Sequence, residues 1–350
     1  MNKEGIVGKL VIVYIGSLDE TSNSYRRFKS LEKMGHKTIG VDIDPFIYGN
    51  IFTRFHHHLN FGPGISKLNK KIIEVIKENE PDLLWVDNKP FLTASTLKTV
   101  RSKWPKIKII DLITDDATGK LRYAWRLCLN TAKFYDCHFV QRSVNVPELK
   151  KAGARRVEMC YRSYDPDFHR PLKLSDDDFK KYHTAVGFIG TYESSREEFI
   201  VHLINNNVPV SITGNDWPNG KHWNVIKPFY KGPSVYGEAY IKSINGMDIA
   251  LHFLRHGNRD EQDSRTFEIP ACGAFMIAEK SDLHLSLFKD GKEAVFFDTK
   301  EMLLEKVNQY LGKTDERKQI AANALERCRQ SGYSHEERLK KVLKNIFEYK

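Results

Sequence analysis

Met247-Asp-Ile-Ala-Leu-His-Phe253 leads through a polar loop into Asn258-Arg-Asp-Glu-Gln-Asp-Ser-Arg-Thr-Phe-Glu-Ile-Pro-Ala-Cys-Gly-Ala-Phe-Met-Ile-Ala-Glu279. The first segment is an apolar strand pattern, residues 264–271 read as a short helix, and 274–278 read as a second strand. Gly273 lets that strand start close to the helix end. A strand–helix–strand unit of this length fits two parallel neighbours joined by a crossover.

The same rhythm extends outward in both directions. Strands are expected at 9–16, 37–43, 82–87, 107–113, 137–140 and 157–161, then at 185–190, 209–213 and 294–297. Helices are expected between them at 22–34, 66–79, 93–101, 120–130 and 146–151, then at 194–205, 235–244 and 283–288. Two longer helices follow at 299–311 and 315–330. Apolar strands alternating with amphipathic helices predict parallel sheets covered on both faces. Residues 166–183 break the rhythm with Arg170-Pro171 and the run Asp176-Asp-Asp178, and are expected to link two domains. The expected organisation is therefore an N-terminal Rossmann-like domain over 1–165, the linker over 166–183, and a second Rossmann-like domain over 184–332. A last helix over 333–350 is expected to return to the first domain. The fold class is α/β, with two doubly wound domains facing a cleft.

Composition narrows the class. The 350 residues are 41% hydrophobic and 29% charged, ordinary for folded domains. The apolar run after Lys9 is short and lacks a cleavage pattern, so it reads as a strand and not as an export signal. No stretch reaches the ~20 apolar residues of a membrane span. Five cysteines without regular spacing suit a reduced cytoplasmic setting. The net charge of +10 is spread along the chain. It fits either a basic solvated surface or an anionic partner. Without a helix-turn-helix, zinc-finger or RNP pattern, nucleic acid is not expected as that partner.

Several residues suggest chemistry. Ser264 is placed to cap the helix at 264–271, leaving its first-turn amides for an anion. Arg265 adds a permanent cation suited to a diphosphate. Glu268, one turn on, can accept from a vicinal diol such as a ribose. The same residues also fit a capped helix with a surface Arg–Glu pair. Gly187-Phe-Ile-Gly-Thr-Tyr-Glu-Ser-Ser-Arg196 is a strand–turn–helix. Gly190 and Tyr192 lie in its turn, and Arg196 is a second candidate for phosphate; an ordinary turn is the alternative. Trp217 suits either base stacking or core packing. In the first domain Gly16 and Ser17 open a polar loop after a strand, placed to approach the donor phosphate or the acceptor. Asp115 and Asp116 end another, either orienting an acceptor hydroxyl or capping a helix. His138 and His169 receive no role. Consecutive histidines at 56–58 point in different directions, so no metal site is expected there. The last helix sets apolar 339, 342, 343, 346 and 347 against lysines 340, 341 and 344. It suits packing on the first domain or contact with an anionic membrane.

Arg265-Thr-Phe-Glu-Ile-Pro-Ala-Cys-Gly-Ala-Phe-Met-Ile-Ala-Glu279 resembles the signature of CgeB-like (spore maturation protein) glycosyltransferases, within the group-1 GT-B transferases. Tyr236-Gly-Glu, Asn258-Arg-Asp260, Ser331-Gly-Tyr-Ser334, Val146-Pro-Glu-Leu-Lys-Lys-Ala-Gly153 and Tyr164-Asp-Pro166 extend the resemblance over most of 140–340. It implies transfer of a sugar from a nucleotide-diphosphate sugar, a co-substrate, to a hydroxyl acceptor on a glycan, lipid-linked glycan, protein or small molecule. It implies no cofactor and no metal. Related retaining enzymes carry two acids with seven residues between them, which Asp260 and Glu268 match. By that resemblance Glu268 binds the donor ribose, Asp260 approaches the sugar, and the amides of Ser264, Arg265 and Thr266 meet the diphosphate. Glu261 is a rival to Asp260, because the first acid of the pattern is here Asp and not Glu. A nucleotide-sugar-binding protein without turnover and a GT-B sugar-nucleotide epimerase are the alternative readings.

Overall fold

Burial on both faces of a parallel sheet explains why the central strands are mainly apolar. The structure, a computed structural model, describes residues 8–48, 60–88, 91–120 and 122–348. The chain forms two units: Met1–Tyr161 with His335–Lys350, and Arg162–Ser334.

In the first unit β1 (Val11–Gly16), α1 (Asn23–Lys33), β2 (Lys37–Asp42), α2 (Asp44–Ile47), α3 (Pro63–Asn79), β3 (Leu83–Asp87), α4 (Ala94–Lys103), β4 (Lys108–Ile113), α5 (Arg126–Thr131), β5 (Cys137–Val140), α6 (Asn145–Lys151) and β6 (Val157–Met159) follow one another. All strands are parallel, in the order β2-β1-β3-β4-β5-β6. Side chains alternate between two cores. Val13, Ile15, Leu84 and Val86 pack with α3 and α4 on one face; Ile12, Tyr14, Leu83 and Trp85 point to the other. Local chemistry sets the helix starts: Ser22 Oγ accepts from the Tyr25 amide at 3.0 Å, and Thr93 Oγ1 from the Thr96 amide at 3.2 Å.

The second unit holds α7 (Asp176–Tyr182), β7 (Thr184–Ile189), α8 (Ser194–Asn205), β8 (Val210–Thr213), α9 (Trp223–Ile226), β9 (Tyr230–Gly232), α10 (Gly237–Asn245), β10 (Met247–His252), α11 (Arg265–Ala271), β11 (Met276–Glu279), α12 (Asp282–Leu287), β12 (Val295–Phe297), α13 (Lys300–Leu311) and α14 (Thr314–Gln330). Its parallel sheet runs β12-β11-β10-β7-β8-β9, a doubly wound order with the switch point between β7 and β10. Residues 166–183, expected to be a linker, lie in this unit. They contain α7, whose start is capped by Ser175 Oγ accepting from the Asp178 amide at 3.1 Å.

The last helix, α15 (His335–Phe347), belongs to the first unit. Leu339, Val342, Leu343 and Ile346 are buried against Leu10, Ile12, Tyr14 and Trp85. The apolar face offered to a membrane in the sequence reading is therefore already covered by protein. Among the described residues, no helix is long and apolar enough to cross a membrane. The five cysteines are all buried and unpaired.

Candidate functional site at the switch point of the second sheet

The loop from β10 to α11 is built around Asp263. Its Oδ1 accepts from the Arg265 amide at 2.7 Å and meets His252 Nε2 at 2.9 Å. The Asp263 amide in turn donates to Thr266 Oγ1 at 3.1 Å, and Thr266 Oγ1 meets His284 Nε2 at 2.9 Å. This corrects the capping assignment. Ser264 already has helical φ and ψ and makes no cap hydrogen bond, so the acid before it does the capping. The Arg265 amide, expected at a diphosphate, is thus taken by Asp263, and Thr266 is fully buried. Burial works against ionising Asp263, but the imidazole of His252 and the guanidiniums of Arg265 and Arg196 outweigh it. They hold the carboxyl well below the usual range. Burial, with His252 adding to it, pushes His284 down to about 3.

Arg265 is half-buried. Its Nε donates to the Ile189 carbonyl, at the carboxyl end of β7, at 2.7 Å. Among the described residues its two Nη groups have no hydrogen-bond acceptor, so the outer edge of the guanidinium remains available. Burial opposes its charge, yet Tyr240, Asp263, Glu268 and Tyr236 together raise its pKa above the usual arginine range. Glu268, one turn along, accepts from Tyr240 Oη at 2.5 Å, and its Oε1 lies 3.6 Å from His169 Nε2. Asp260 is half-exposed in the loop, accepting from Asn258 Nδ2 at 3.0 Å. The rival, Glu261, offers its main-chain carbonyl to Ser281 Oγ at 2.7 Å.

Two basic and aromatic candidates turn out to be scaffold. Arg196 is 4% exposed; its Nη1 and Nη2 donate to the carbonyls of Thr191 and Phe253, each at 2.9 Å. It ties the ends of β7 and β10 together, and its burial keeps it from a ligand. Trp217 is fully buried, donating from Nε1 to the Gly190 carbonyl at 2.9 Å with its ring edge-on to Phe188 and Tyr192. A base cannot stack on it. Tyr192 is half-exposed and reaches Glu197 Oε2 at 3.2 Å. Gly190 is needed for internal contact: a Cβ there would lie 2.5 Å from the Phe188 ring.

Residues 196–344 match the family described as glycosyl transferase-like. That span contains Asp260, Arg265 and Glu268. Among curated proteins, the lipid-A-disaccharide synthase of Rickettsia conorii is 26% identical over 233 residues, 61% of this chain and 49% of that one. The enzyme of that name from Rickettsia bellii is 24% identical over 238 residues, 61% and 56% of the two chains. The chain thus spans about half the length of the curated relatives it matches. Among solved structures, a glycosyltransferase from Rickettsia africae superposes with a TM-score of 0.65 at 14% identity, over 98% of this chain and 100% of that one. Anabaena HepE in complex with UDP-glucose gives 0.63 at 13%, over 97% and 100%. Sucrose-phosphate synthase from Thermosynechococcus elongatus gives 0.66 at 10%, over 97% and 100%. With the two parallel six-stranded sheets, these likenesses make the fold GT-B.

Outside the glycosyl transferase-like segment, the candidates of the first unit have internal duties. A Cβ on Gly16 would lie 2.4 Å from Ser24 Oγ. Beneath it, Asp87 binds Arg27 through both carboxylate oxygens at 2.7 Å and accepts from Tyr14 Oη at 2.6 Å. Ser17 Oγ donates to Asp44 Oδ2 at 2.5 Å. Asp116 is 5% exposed, and its Oδ1 accepts from the amides of Thr118 and Gly119 and from Asn145 Nδ2 at 3.2, 3.0 and 2.8 Å. That carboxylate folds its own loop, so the acceptor-orienting role gives way to a structural one. Asp115 lies 3.4 Å from Asn88 Nδ2. His138 is fully buried against Asp111 at 2.7 Å. With Cys128 these two residues form a group close enough to share a cation, set in the core of this unit. The histidines at 56–58 lie outside the described residues.

Asp263, His252, Tyr240 and His169 were missed from sequence. Asp263 had a signal in its place directly before Ser264-Arg265. Tyr240 and His169 had none, because their roles depend on Glu268, which is distant from both in the chain.

Proposed function

We propose that the chain is a glycosyltransferase moving a sugar from a nucleotide-diphosphate sugar to a hydroxyl acceptor. The observation that carries this reading is the free guanidinium edge of Arg265 beside the Glu268 carboxylate, at the switch point of a doubly wound sheet. Departure of the diphosphate is the demanding step, because negative charge grows on the leaving group as positive charge grows on the sugar. Arg265 would stabilise the first. Asp260, half-exposed in the preceding loop, would act at the sugar, and Glu268 would bind the ribose. Support comes from the glycosyl transferase-like match, from a GT-B neighbour solved with UDP-glucose and from relatives named as disaccharide synthases. Those relatives favour a sugar or lipid-linked sugar among the acceptors. Retention of anomeric configuration, independence of metal, membership of the CgeB-like group and work at a cytoplasmic membrane surface are parts of the same proposal.

The test is incubation of the chain with UDP-, GDP-, ADP- and dTDP-sugars and mixed hydroxyl acceptors, followed by mass spectrometry. A sugar joined to an acceptor, with free nucleoside diphosphate, supports transfer. An altered sugar still attached to nucleotide would make the protein an epimerase, and binding without any product would make it a binding protein.

A further inference from the structure

The stretch that sequence alone reads as a linker is fastened onto the second unit at several points. Just ahead of it, Tyr164 bridges to Ser334. The amide of Leu172 donates to Asn245 Oδ1, at the end of α10, at 2.8 Å, and Asn245 Nδ2 reaches the Arg170 carbonyl at 3.3 Å. Pro171 packs so close to α11 that a Cβ on Gly273, which has φ +69°, would lie 3.2 Å from its ring. Between these fastenings sits His169, 3% exposed. Its Nδ1 lies 3.0 Å from the Asp165 amide and 3.2 Å from the Asp165 carbonyl; with the amide, the shorter contact, donating, the proton of the neutral ring is on Nε2. That nitrogen faces Glu268 Oε1 at 3.6 Å. The other carboxylate oxygen takes the Tyr240 hydroxyl at 2.5 Å. The His169 ring stands perpendicular to Tyr240, 6.4 Å between centroids, and edge-on to Phe168 at 4.9 Å.

We infer that Tyr240 and His169 are positioning residues of the donor site, gripping the Glu268 carboxylate from both sides and fixing the direction in which its remaining lone pairs accept. This rests on the reading of Glu268 as the ribose-binding acid. Each carboxylate oxygen has two acceptor positions. The Tyr240 hydroxyl bonded to one oxygen, with the buried His169 ring packed 3.6 Å from the other, stops the group rotating about its last torsion, which is otherwise broad. A vicinal diol then meets acceptors already aimed, and the ordering cost falls on folding instead of on binding. Tyr240 keeps its proton at any ordinary pH, since burial and the neighbouring Glu268 push the phenol far up. Its donation is therefore permanent.

The experiment compares UDP with 2′-deoxy-UDP by calorimetry on the full chain, after UDP, GDP, ADP, CDP and dTDP have been screened; where another base binds best, its ribo and 2′-deoxy pair is used. Wild type is expected to prefer the ribonucleotide at least ~10-fold, about 1.4 kcal/mol. Tyr240→Phe and His169→Leu should each flatten that preference to within ~3-fold, and His169→Gln, which keeps an N–H near the Nε2 position, should restore it. In a Glu268→Ala background, Tyr240→Phe should cost no further affinity. A structural effect would instead weaken both nucleotides alike and persist without Glu268. Tyr240→Phe removes only the hydroxyl and keeps the ring, so it decides the matter even where His169→Leu folds poorly. If no nucleotide binds, or Glu268→Ala leaves the ribose preference intact, the donor-site reading itself falls. If Glu268→Ala abolishes the preference while Tyr240→Phe and His169→Leu keep it, only the positioning role is overturned.

Discussion

Arg265 and Arg196 differ in what their guanidinium groups have left to offer. Both lie in the first turn of a helix after a strand, and from sequence both were phosphate candidates. Arg196 spends both Nη groups on carbonyls, whereas Arg265 spends only Nε. Arg265→Ala should therefore lower nucleoside-diphosphate affinity by ten-fold or more with a modest loss of melting temperature. Arg196→Ala should chiefly destabilise, because it leaves the buried Phe253 carbonyl and the Thr191 carbonyl without their donor. Calorimetry and thermal melts on both variants separate the two outcomes. The acids should also divide. Glu268→Gln is expected to raise the donor KM with kcat little changed, and Asp260→Asn to lower kcat roughly 30- to 1,000-fold. A normal Asp260→Asn beside an inactive Glu261→Gln would show the wrong acid was chosen. His284 supplies a pH test. Its folded pKa of about 3 lies below the ordinary 6.5, so burial of the neutral ring is stabilising above pH 6.5. The contribution is lost as pH falls from there toward 3, at up to about 1.4 kcal/mol per unit. Urea melts between pH 7 and 4.5 should show this slope in wild type and a shallower one in His284→Gln.

The elements easiest to read were those with one simple cause. Strands such as β1, β3 and β4 are buried on both faces and therefore mostly apolar, and α1 and α13 start at capping residues, Ser22 and Thr299. What escaped had a compound cause. In α7 an acidic first turn and Lys180-Lys181 in the last turn suit the helix dipole, but the helix buries no side chain, so no periodic apolar signal marks it. The three-residue β9 is only partly buried and is held by the edge of β8. Trp217 shows the same limit at the site. Its identity suits a base or a core equally, and only the bond to Gly190 decides. Trp217→Phe should cost about 1–3 kcal/mol in denaturant melts through the lost hydrogen bond and volume and leave nucleotide affinity nearly intact. A large loss of affinity at unchanged stability would return Trp217 to the ligand.

At the scale of the molecule, a nucleoside diphosphate present at ~100 times its dissociation constant should stabilise the chain by about 2.7 kcal/mol. Unchanged melting with all five common bases would remove the donor site altogether. The return of α15 to the first unit has a different consequence, in the order of synthesis. Residues 162–334 form an uninterrupted unit, free to fold as soon as they leave the ribosome. The first unit, begun earlier, lacks the side chains of Leu339, Val342, Leu343 and Ile346 until residues 335–347 have also been made. Until then Ile12, Tyr14 and Trp85 have an uncovered apolar face. The unit begun first is therefore completed after the second, and a nascent chain stalled before residue 335 would be a client for chaperones that bind exposed apolar surface.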